Sequence, residues 1–363
     1  MPNPNAVVLA QEARVCVKLD QVQNFIHSMV LLSRSEALSG LGSWIYETHS
    51  ALTPGERAAQ RLVMIGLHYA VLPDRDWADV PSYLDHLAGI RPETLRDKVL
   101  DTYLTYPSGE KESKLPTADR QSLLDDLDFF LEYLVERFGE EQVDESLERK
   151  AHVLLNDPEE MRAVIITHLR MMWEEYFQDE WKRVKPMLGQ AVQVFDQKDY
   201  GRMSRKEAGE YITGQELKGE HWNIDQGEYG QIIFVPSAHI GPYLGKFMYK
   251  NALGVIFGAR LPKDSQIDAP NLSRNEILVR LGALTDETRL RILKLLADEG
   301  EQFSQEIMDK LELSQSAASR HLKQLSATGH LTERRCSNAK CYELNAEHIR
   351  DTLSAVSTFL LDE

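Results

Sequence analysis

Apolar residues along this chain recur with a helical period over long stretches and with a strand period in a few short runs. From Gln21 to Leu104 the pattern is that of amphipathic helices. It is interrupted at "LTPGE" (52–56), "LPDRDW" (72–77) and "IRPET" (90–94), where proline and glycine punctuate. The polar stretch "YPSGEKESKLPTADR" (106–120), bounded by prolines, predicts a loop or internal linker. Helix resumes from Ser122 to about Phe138, and a long helix is predicted from about Glu159 to Val184. "DPEE" (157–160) is its start signal, with Asp157 as cap, Pro158 as first helical residue and acids in the first turn. "RVCVKL" (14–19) alternates and predicts a strand. "QIIFVPS" (231–237) and "LGVIFGAR" (253–260) predict two more, able to pair with each other and with the first in a small sheet. "LPKDSQIDAPNLS" (261–273) reads as an interdomain linker. The expected division is an N-terminal region over 1–265, mostly helical with short strands, and a separate domain over 273–363.

The last ninety residues carry the densest signals. "NLSRNEILVRLGAL" (271–284) is amphipathic. "TDETRLRILKLLADEG" (285–300) predicts a helix capped by Thr285, with Asp286 and Glu287 at its positive end and Gly300 as its stop. Leu290, Leu293 and Leu296, with Ile292 nearby, form its expected buried stripe. "SQEIMDKL" (304–311) predicts a shorter helix capped by Ser304, with Ile307 and Leu311 one turn apart. After the turn "ELS" comes "LSQSAASRHLKQLSATG" (313–329), with Ser314 as N-cap and Gly329 as terminator. Ala318, Leu322 and Leu325 face inward. A hundred degrees per residue puts Ser316, Arg320 and Lys323 on the opposite face, flanked by Gln315 and Ser319. Two helices joined by a tight turn, the second presenting such residues, form a helix-turn-helix suited to the major groove of duplex DNA. Arg320 can pair bidentately with guanine and Gln315 with adenine, while Ser316, Ser319 and the first amides suit phosphates. "HLTERRCSNAKCYEL" (330–344) predicts a β-hairpin turning at Ser337–Lys340, a wing whose Arg335 and Lys340 can touch the DNA backbone or minor groove. In this register Cys336 opposes Cys341 and Arg334 faces Glu343. Opposed hairpin residues lie about 5.5 Å apart, the separation a disulfide prefers. In a reducing cytoplasm, two packed thiols are favoured over a redox switch.

At these residues the chain resembles a known family. "LTDETRLRILKLLADEG", "LSQSAASRHLKQLSATGHLTERR" and "CYEL" closely resemble the winged-helix domain of the ArsR/SmtB family of bacterial transcriptional regulators, over about residues 273–350. The resemblance implies a homodimer, double-stranded operator DNA as partner, and usually repression relieved by a signal. It also implies dimer contacts from the flanking helices, here 273–283 and "AEHIRDTLSAVSTFLL" (346–361). Metal-sensing members carry a Cys-x-Cys on the first helix of the helix-turn-helix or a His/Asp/Glu set on the C-terminal helix. This chain has "SQEIMDKL" at the first place, and His348 and Asp351 without a second histidine at the second. No metal site and no cofactor are therefore expected.

Charge sharpens the picture. The 363 residues carry a formal net charge of −16. Residues 1–270 hold 29 Lys+Arg against 42 Asp+Glu, a net of −13, and 271–363 hold 12 against 15, a net of −3. Within Leu313–Cys341 five basic residues face one acid, Glu333, a local +4. An acidic body repels polyanions and a basic patch attracts them, so nucleic acid belongs at the tail. No run of 18 apolar residues is present, the N-terminus lacks the pattern of a signal peptide, and three cysteines make no disulfide framework. A cytoplasmic location without membrane contact fits.

The length before residue 270 is ample for its own core and pocket. It contains no P-loop, no G-x-G-x-x-G after a strand, no H-E-x-x-H and no G-x-S-x-G, which weighs against an enzyme. Candidate ligand-binding residues are Trp44, His68, Trp173, Tyr176, His239 and Tyr243, with a small-molecule effector in view. Each also has a plainer reading. "HLRMMWEEYFQDEW" (168–181) more often builds core, and a lone histidine is more often structural. The expected fold class is mainly α (α+β), a C-terminal winged helix-turn-helix behind a larger, mostly helical region with a small sheet. The expected function is a DNA-binding transcriptional regulator, a repressor whose N-terminal region senses a small molecule or partner. The alternative is an enzyme or substrate-binding N-terminal domain with a winged helix used for regulation or docking.

Overall fold

The computed structural model describes residues 14–38, 41–105, 118–217, 222, 224, 229–259, 274–336 and 339–361. The described residues are mainly α with two small sheets. The expected loop at 106–120 and the linker at 261–273 fall almost wholly outside the described residues. Two compact units are distinguished: one is Asp20–Ser35 with Ser43–Arg183, the other Met1–Leu19, Glu36–Gly42 and Val184–Glu363.

The first unit is helical: α1 (Gln21–Leu32), α2 (Ser43–Ala51), α3 (Pro54–Arg61), α4 (Val80–Gly89), α5 (Pro92–Thr105), α6 (Arg120–Asp125), α7 (Leu127–Phe138), α8 (Glu145–Asn156), α9 (Pro158–Met171) and the first part of α10 (Gln178–Asp196). Aspartates start many of these helices. Asp20, Asp79, Asp126, Asp144 and Asp157 each accept a hydrogen bond from a first-turn amide, so part of the chain's acidity is helix-capping chemistry. Thr53 and Glu56 form a reciprocal capping box ahead of α3. The helix expected between Ser122 and Phe138 is interrupted at Asp126, which caps α7. Helix α8 was not anticipated, although Asp144 is a legible start signal for it.

Helix α1 is enclosed on nearly all sides. Val22, Phe25, Ile26, Met29 and Leu32 are buried, and so are Gln23, Asn24 and Ser28. Burying polar groups requires partners. Ser28 Oγ donates to the Asn24 carbonyl at 2.6 Å, and Gln60 Nε2 donates to the Met29 carbonyl at 2.6 Å. His168 Nε2 lies 2.6 Å from Gln60 Oε1, closing a chain from α9 to α1. The long helix expected over 159–184 is not uniform. A π-helical segment, Met172–Phe177, separates α9 from α10, which continues to Asp196. A second π segment, Leu62–Gly66, leads into a 3₁₀ turn, His68–Val71.

In the other unit, β1 (Arg14–Val17), β2 (Gln231–Ser237), β3 (Leu244–Tyr249) and β4 (Ala252–Gly258) form a sheet of order β1-β2-β4-β3. The three expected strands run parallel to one another, and β3, not anticipated, is antiparallel to β4 across a two-residue turn at Lys250–Asn251. Parallel neighbours demand a long crossover between β1 and β2, and the helical residues fill it. Phe195, Ile212, Phe234, Val255 and Phe257 are the centre of this core, the last part of α10 and α11 (Arg205–Thr213) contributing from the helical side.

The C-terminal elements are α12 (Arg274–Leu284), α13 (Glu287–Glu299), β5 (Gln302–Phe303), α14 (Ser304–Leu311), α15 (Gln315–Ala327), β6 (Leu331–Cys336), β7 (Ala339–Leu344) and α16 (Ala346–Leu361). Their sheet has the order β5-β7-β6. Ile292, Leu293, Leu296, Ile307, Leu322, Leu325, Leu331 and Tyr342 make the core, at roughly 1.5–3 kcal/mol per fully buried large apolar side chain. Leu290, expected in the stripe of α13, is 49% exposed. It sits 200° from Ile292, on the far side of the face that Ile292, Leu293 and Leu296 define. Asp286, not Thr285, caps α13, accepting from the Arg289 amide at 2.9 Å, while Thr285 Oγ1 donates to the Gly282 carbonyl. Ser304 is the first residue of α14, not its cap; Glu306 reaches back to the Phe303 amide.

Candidate nucleic-acid interface

Helix α14 ends in a left-handed residue, Glu312, at φ 54° and ψ 43°. It is the one non-glycine residue with positive φ among the described residues. This conformation reverses the chain within three residues, and the Leu313 amide bonds the Met308 carbonyl at 3.0 Å. Ser314 then caps α15, its Oγ accepting from the Ala317 amide at 3.3 Å. Ala318, Leu322 and Leu325 point into the core as periodicity required. Ser314, Gln315, Ser316, Ser319, Arg320 and Lys323 are exposed. The free amide end of α15 thus carries no acid and is bordered by hydroxyls, an amide and a guanidinium, a composition that suits phosphate and base edges.

The inner side of α15 holds a polar anchor that periodicity missed. Arg289 of α13 donates Nη1 to Gln324 Oε1 at 2.6 Å, Nε to the Ala283 carbonyl at 2.7 Å and Nη2 to the Gly282 carbonyl at 2.8 Å. One guanidinium therefore joins α15 to the end of α12. Burial, and the nearby Arg320 charge, lower the Arg289 pKa, with Asp286 opposing. His321 Nδ1 lies 3.6 Å from Asp286 Oδ1, too long for a hydrogen bond but close enough for attraction when protonated. Burial nevertheless lowers the His321 pKa, helped by the charges of Arg320 and Arg289. A buried glutamine and histidine in a run of polar residues look like surface from sequence; Arg289 facing Gln324 and Asp286 beside His321 become visible only in the fold.

The wing differs in register from the expectation. Arg334 lies opposite Cys341, Arg335 opposite Lys340 and Cys336 opposite Ala339, so β6 and β7 are joined at 337–338 and Thr332 faces Glu343. Every partner is shifted by two residues from that expectation. Arg334 does not pair with Glu343; it forks onto Glu301, Nη2 to Oε2 at 2.5 Å. Lys340 Nζ lies 2.7 Å from Glu333 Oε1. The Arg335 side chain lies outside the described residues. Cys336 and Cys341 are not direct cross-strand partners. Cys341 is nonetheless disulfide-bonded, whereas Cys16 is in no disulfide, so the expectation of two reduced thiols on the wing does not hold.

The six ligand candidates of the N-terminal region are divided between the two units. Trp44 and Trp173 meet around Phe177, at ring separations of 5.5 and 6.0 Å, with Phe25 and Trp181 completing an aromatic cluster. Tyr176, one residue from that cluster, is half-buried. His68 stands in the 3₁₀ turn, its pKa pushed down to about 4 by burial and by the charges of His27, Arg34 and Lys98. His239 and Tyr243 belong to the other unit, in the connection between β2 and β3. There the His239 carbonyl accepts from the Gly42 amide at 3.0 Å.

Three core helices, a tight turn before an exposed polar helix and a β-hairpin behind it define a winged helix-turn-helix protein. Residues 286–329 match the model of "Bacterial regulatory protein, arsR family". Two relatives from Pseudomonas putida are similar to this part of the chain. The arsenic resistance transcriptional regulator ArsR2 is 40% identical over 87 residues, 22% of this chain and 76% of that protein. The arsenic resistance transcriptional regulator ArsR1 is 45% identical over 64 residues, 18% of this chain and 50% of that protein. A solved structure titled as a possible transcriptional regulatory protein (fragment 1–100) from Mycobacterium bovis is 31% identical, covering 24% of this chain and 94% of its own at a TM-score of 0.20. The chain belongs to the ArsR family of bacterial transcriptional regulators; it spans about half the length of one curated relative and three quarters of the other. No helix among the described residues is long and apolar enough to cross a membrane.

Proposed function

We propose that this protein is a cytoplasmic, homodimeric repressor that binds double-stranded operator DNA through residues 273–363 and senses a small molecule through residues 1–265. The observation that carries the DNA reading is the two-sided α15. Its apolar residues are packed, while Gln315, Ser316, Ser319, Arg320 and Lys323 stand exposed at a capped, acid-free N-terminus. In this reading Arg320 and Gln315 meet base edges, Ser314, Ser316 and Ser319 meet phosphates, and Lys323, Arg335 and Lys340 hold the flanking backbone. The dimer is supported by α12 and α16, which share a small apolar seam of Ile277, Leu281, Ala355 and Val356. Leu278, Leu353, Phe359, Leu360 and Leu361 on these two helices remain exposed, an apolar load that a second copy would cover. Two-fold symmetry then predicts an imperfect palindrome with half-sites about 34–36 Å apart, or a multiple of that.

The test is selection of bound DNA from a random pool by the full chain, followed by titration of the selected duplex with wild type and Arg320→Ala. The expected loss is about 1–3 kcal/mol with relaxed preference at one position. Unchanged affinity for the selected duplex would remove Arg320 from the interface, and failure to enrich any duplex would end the DNA reading altogether.

A further inference from the structure

The helical unit holds a cavity of about 520 Å³ between α4, α5 and the turn at 72–74, a volume within the range of small-molecule sites. Tyr83, Leu87 and Leu95 make its floor and are almost fully buried. On one wall the His86 ring lies against Trp77 at 4.5 Å and an interplanar angle of 35°, and the Arg75 guanidinium lies over the indole at 4.1 Å. Tyr83 is pinned beneath, its hydroxyl donating to the Val71 carbonyl.

The charges around the cavity are unequally matched. At one end Arg120 forks onto Asp101 at 2.5 and 2.6 Å and reaches Asp97 at 2.7 Å, while Arg96 holds the other side of Asp97 at 2.8 Å. Those carboxylates are occupied. Lys98 has no such partner. Its ammonium donates to the Leu72 carbonyl, and among the described residues no carboxylate lies within 4 Å of it. Burial lowers its pKa, with Asp74 opposing at longer range. Lys98, His27 and Arg34 also set the field at His68, whose Nδ1 is buried without a hydrogen-bond partner. A half-buried ammonium without a counter-ion, on the wall of a cavity with an apolar floor, is complementary to one negative charge. At the other end Asp97 and Asp101 are balanced by Arg96 and Arg120, so no further cation is left there for a second negative charge.

We propose that this cavity binds a small monocarboxylic acid with an aromatic or medium-chain aliphatic body. The carboxylate would lie on Lys98 and the body on Tyr83, Leu87 and Leu95, beside the His86–Trp77 pair. Control of operator affinity by such an acid rests on the regulatory reading above, whereas binding of the acid does not.

The test is isothermal titration calorimetry of the full chain without DNA, so that its failure leaves operator binding untouched. The probes are benzoate, phenylacetate and octanoate, each beside its uncharged amide. At least one acid is expected to bind one-to-one, tenfold or more tightly than its amide. Lys98→Met should weaken it at least tenfold. Thr94→Trp, at an exposed position on the cavity rim, should do the same by obstruction while keeping the ammonium. If circular dichroism shows that Lys98→Met does not fold, the Thr94→Trp result decides. The proposal is overturned if none of the three acids binds below 10 mM (roughly the weak limit of a specific site), if acid and amide bind alike, or if a folded variant binds as wild type does.

Discussion

Replacing Arg289 by methionine isolates the anchor under α15. Methionine keeps the aliphatic stem and removes the guanidinium. Three hydrogen bonds disappear, to Gln324 Oε1, the Ala283 carbonyl and the Gly282 carbonyl. Gly282 is exposed, so water can replace its partner. Ala283 and Gln324 are buried at 0% and 4% exposure, so two acceptors are stranded. At about 1–3 kcal/mol for each stranded group, and with incomplete additivity, the expected cost is about 2–4 kcal/mol. The readout is hydrogen exchange of the α13 and α15 amides in the full chain, which reports local opening free energy. Exchange there should accelerate roughly 30- to 700-fold, since 1.4 kcal/mol is a factor of ten, while amides of α1 and α9 stay as they are. Removing both partners, Arg289→Met with Gln324→Leu, should cost less than the two single changes together. Exchange in α13 and α15 within threefold of wild type would refute the anchor, because the stranded acceptors would then have cost nothing.

Acidification should weaken the wing. His330 is enclosed, with Nδ1 2.8 Å from Thr328 Oγ1, and burial, with the charges of His348 and Arg280, pushes its pKa down to about 3. A depressed folded-state pKa on a base gives stability that is complete above the unfolded value near 6.5 and falls as pH drops toward 3. The loss at pH 5 is about 2 kcal/mol. Faster exchange of the β6 and β7 amides at pH 5 than at pH 7.5, after correction for intrinsic rates and flattened by His330→Phe, checks it. Glu333→Gln frees Lys340 from its 2.7 Å ion pair and should tighten binding to all duplexes alike. Lys340→Ala should weaken all alike and lower the salt slope by about one, as fluorescence anisotropy at several salt concentrations would reveal. Glu312→Gly relieves a left-handed residue and should raise the stability of α14 and α15 by about 0.5–1 kcal/mol, read by the same exchange experiment.

What could be read from the residues alone was whatever depends on near neighbours in the chain. The caps Asp157 and Ser314, the stop at Gly329 and the inward row of Ala318, Leu322 and Leu325 all act within a turn or two of helix, so a short window contains their cause. The exposed face of α15 followed from the same geometry. What depended on distant partners was decided only in three dimensions. The wing register differs by two because the whole ladder from Leu331–Leu344 to Cys336–Ala339, and not the Cys336–Cys341 pairing, sets which residues meet. Strand β3 escaped notice because its polar and glycine positions make sense only against β4. Gln324 looks like surface until Arg289, thirty-five positions earlier, faces it. Lys98 looks like an ordinary solvated lysine until the packing of α4 against its neighbours encloses one side of it. Hydrogen bonds and charges are strong only where water is excluded, and folding, not local composition, determines where that happens.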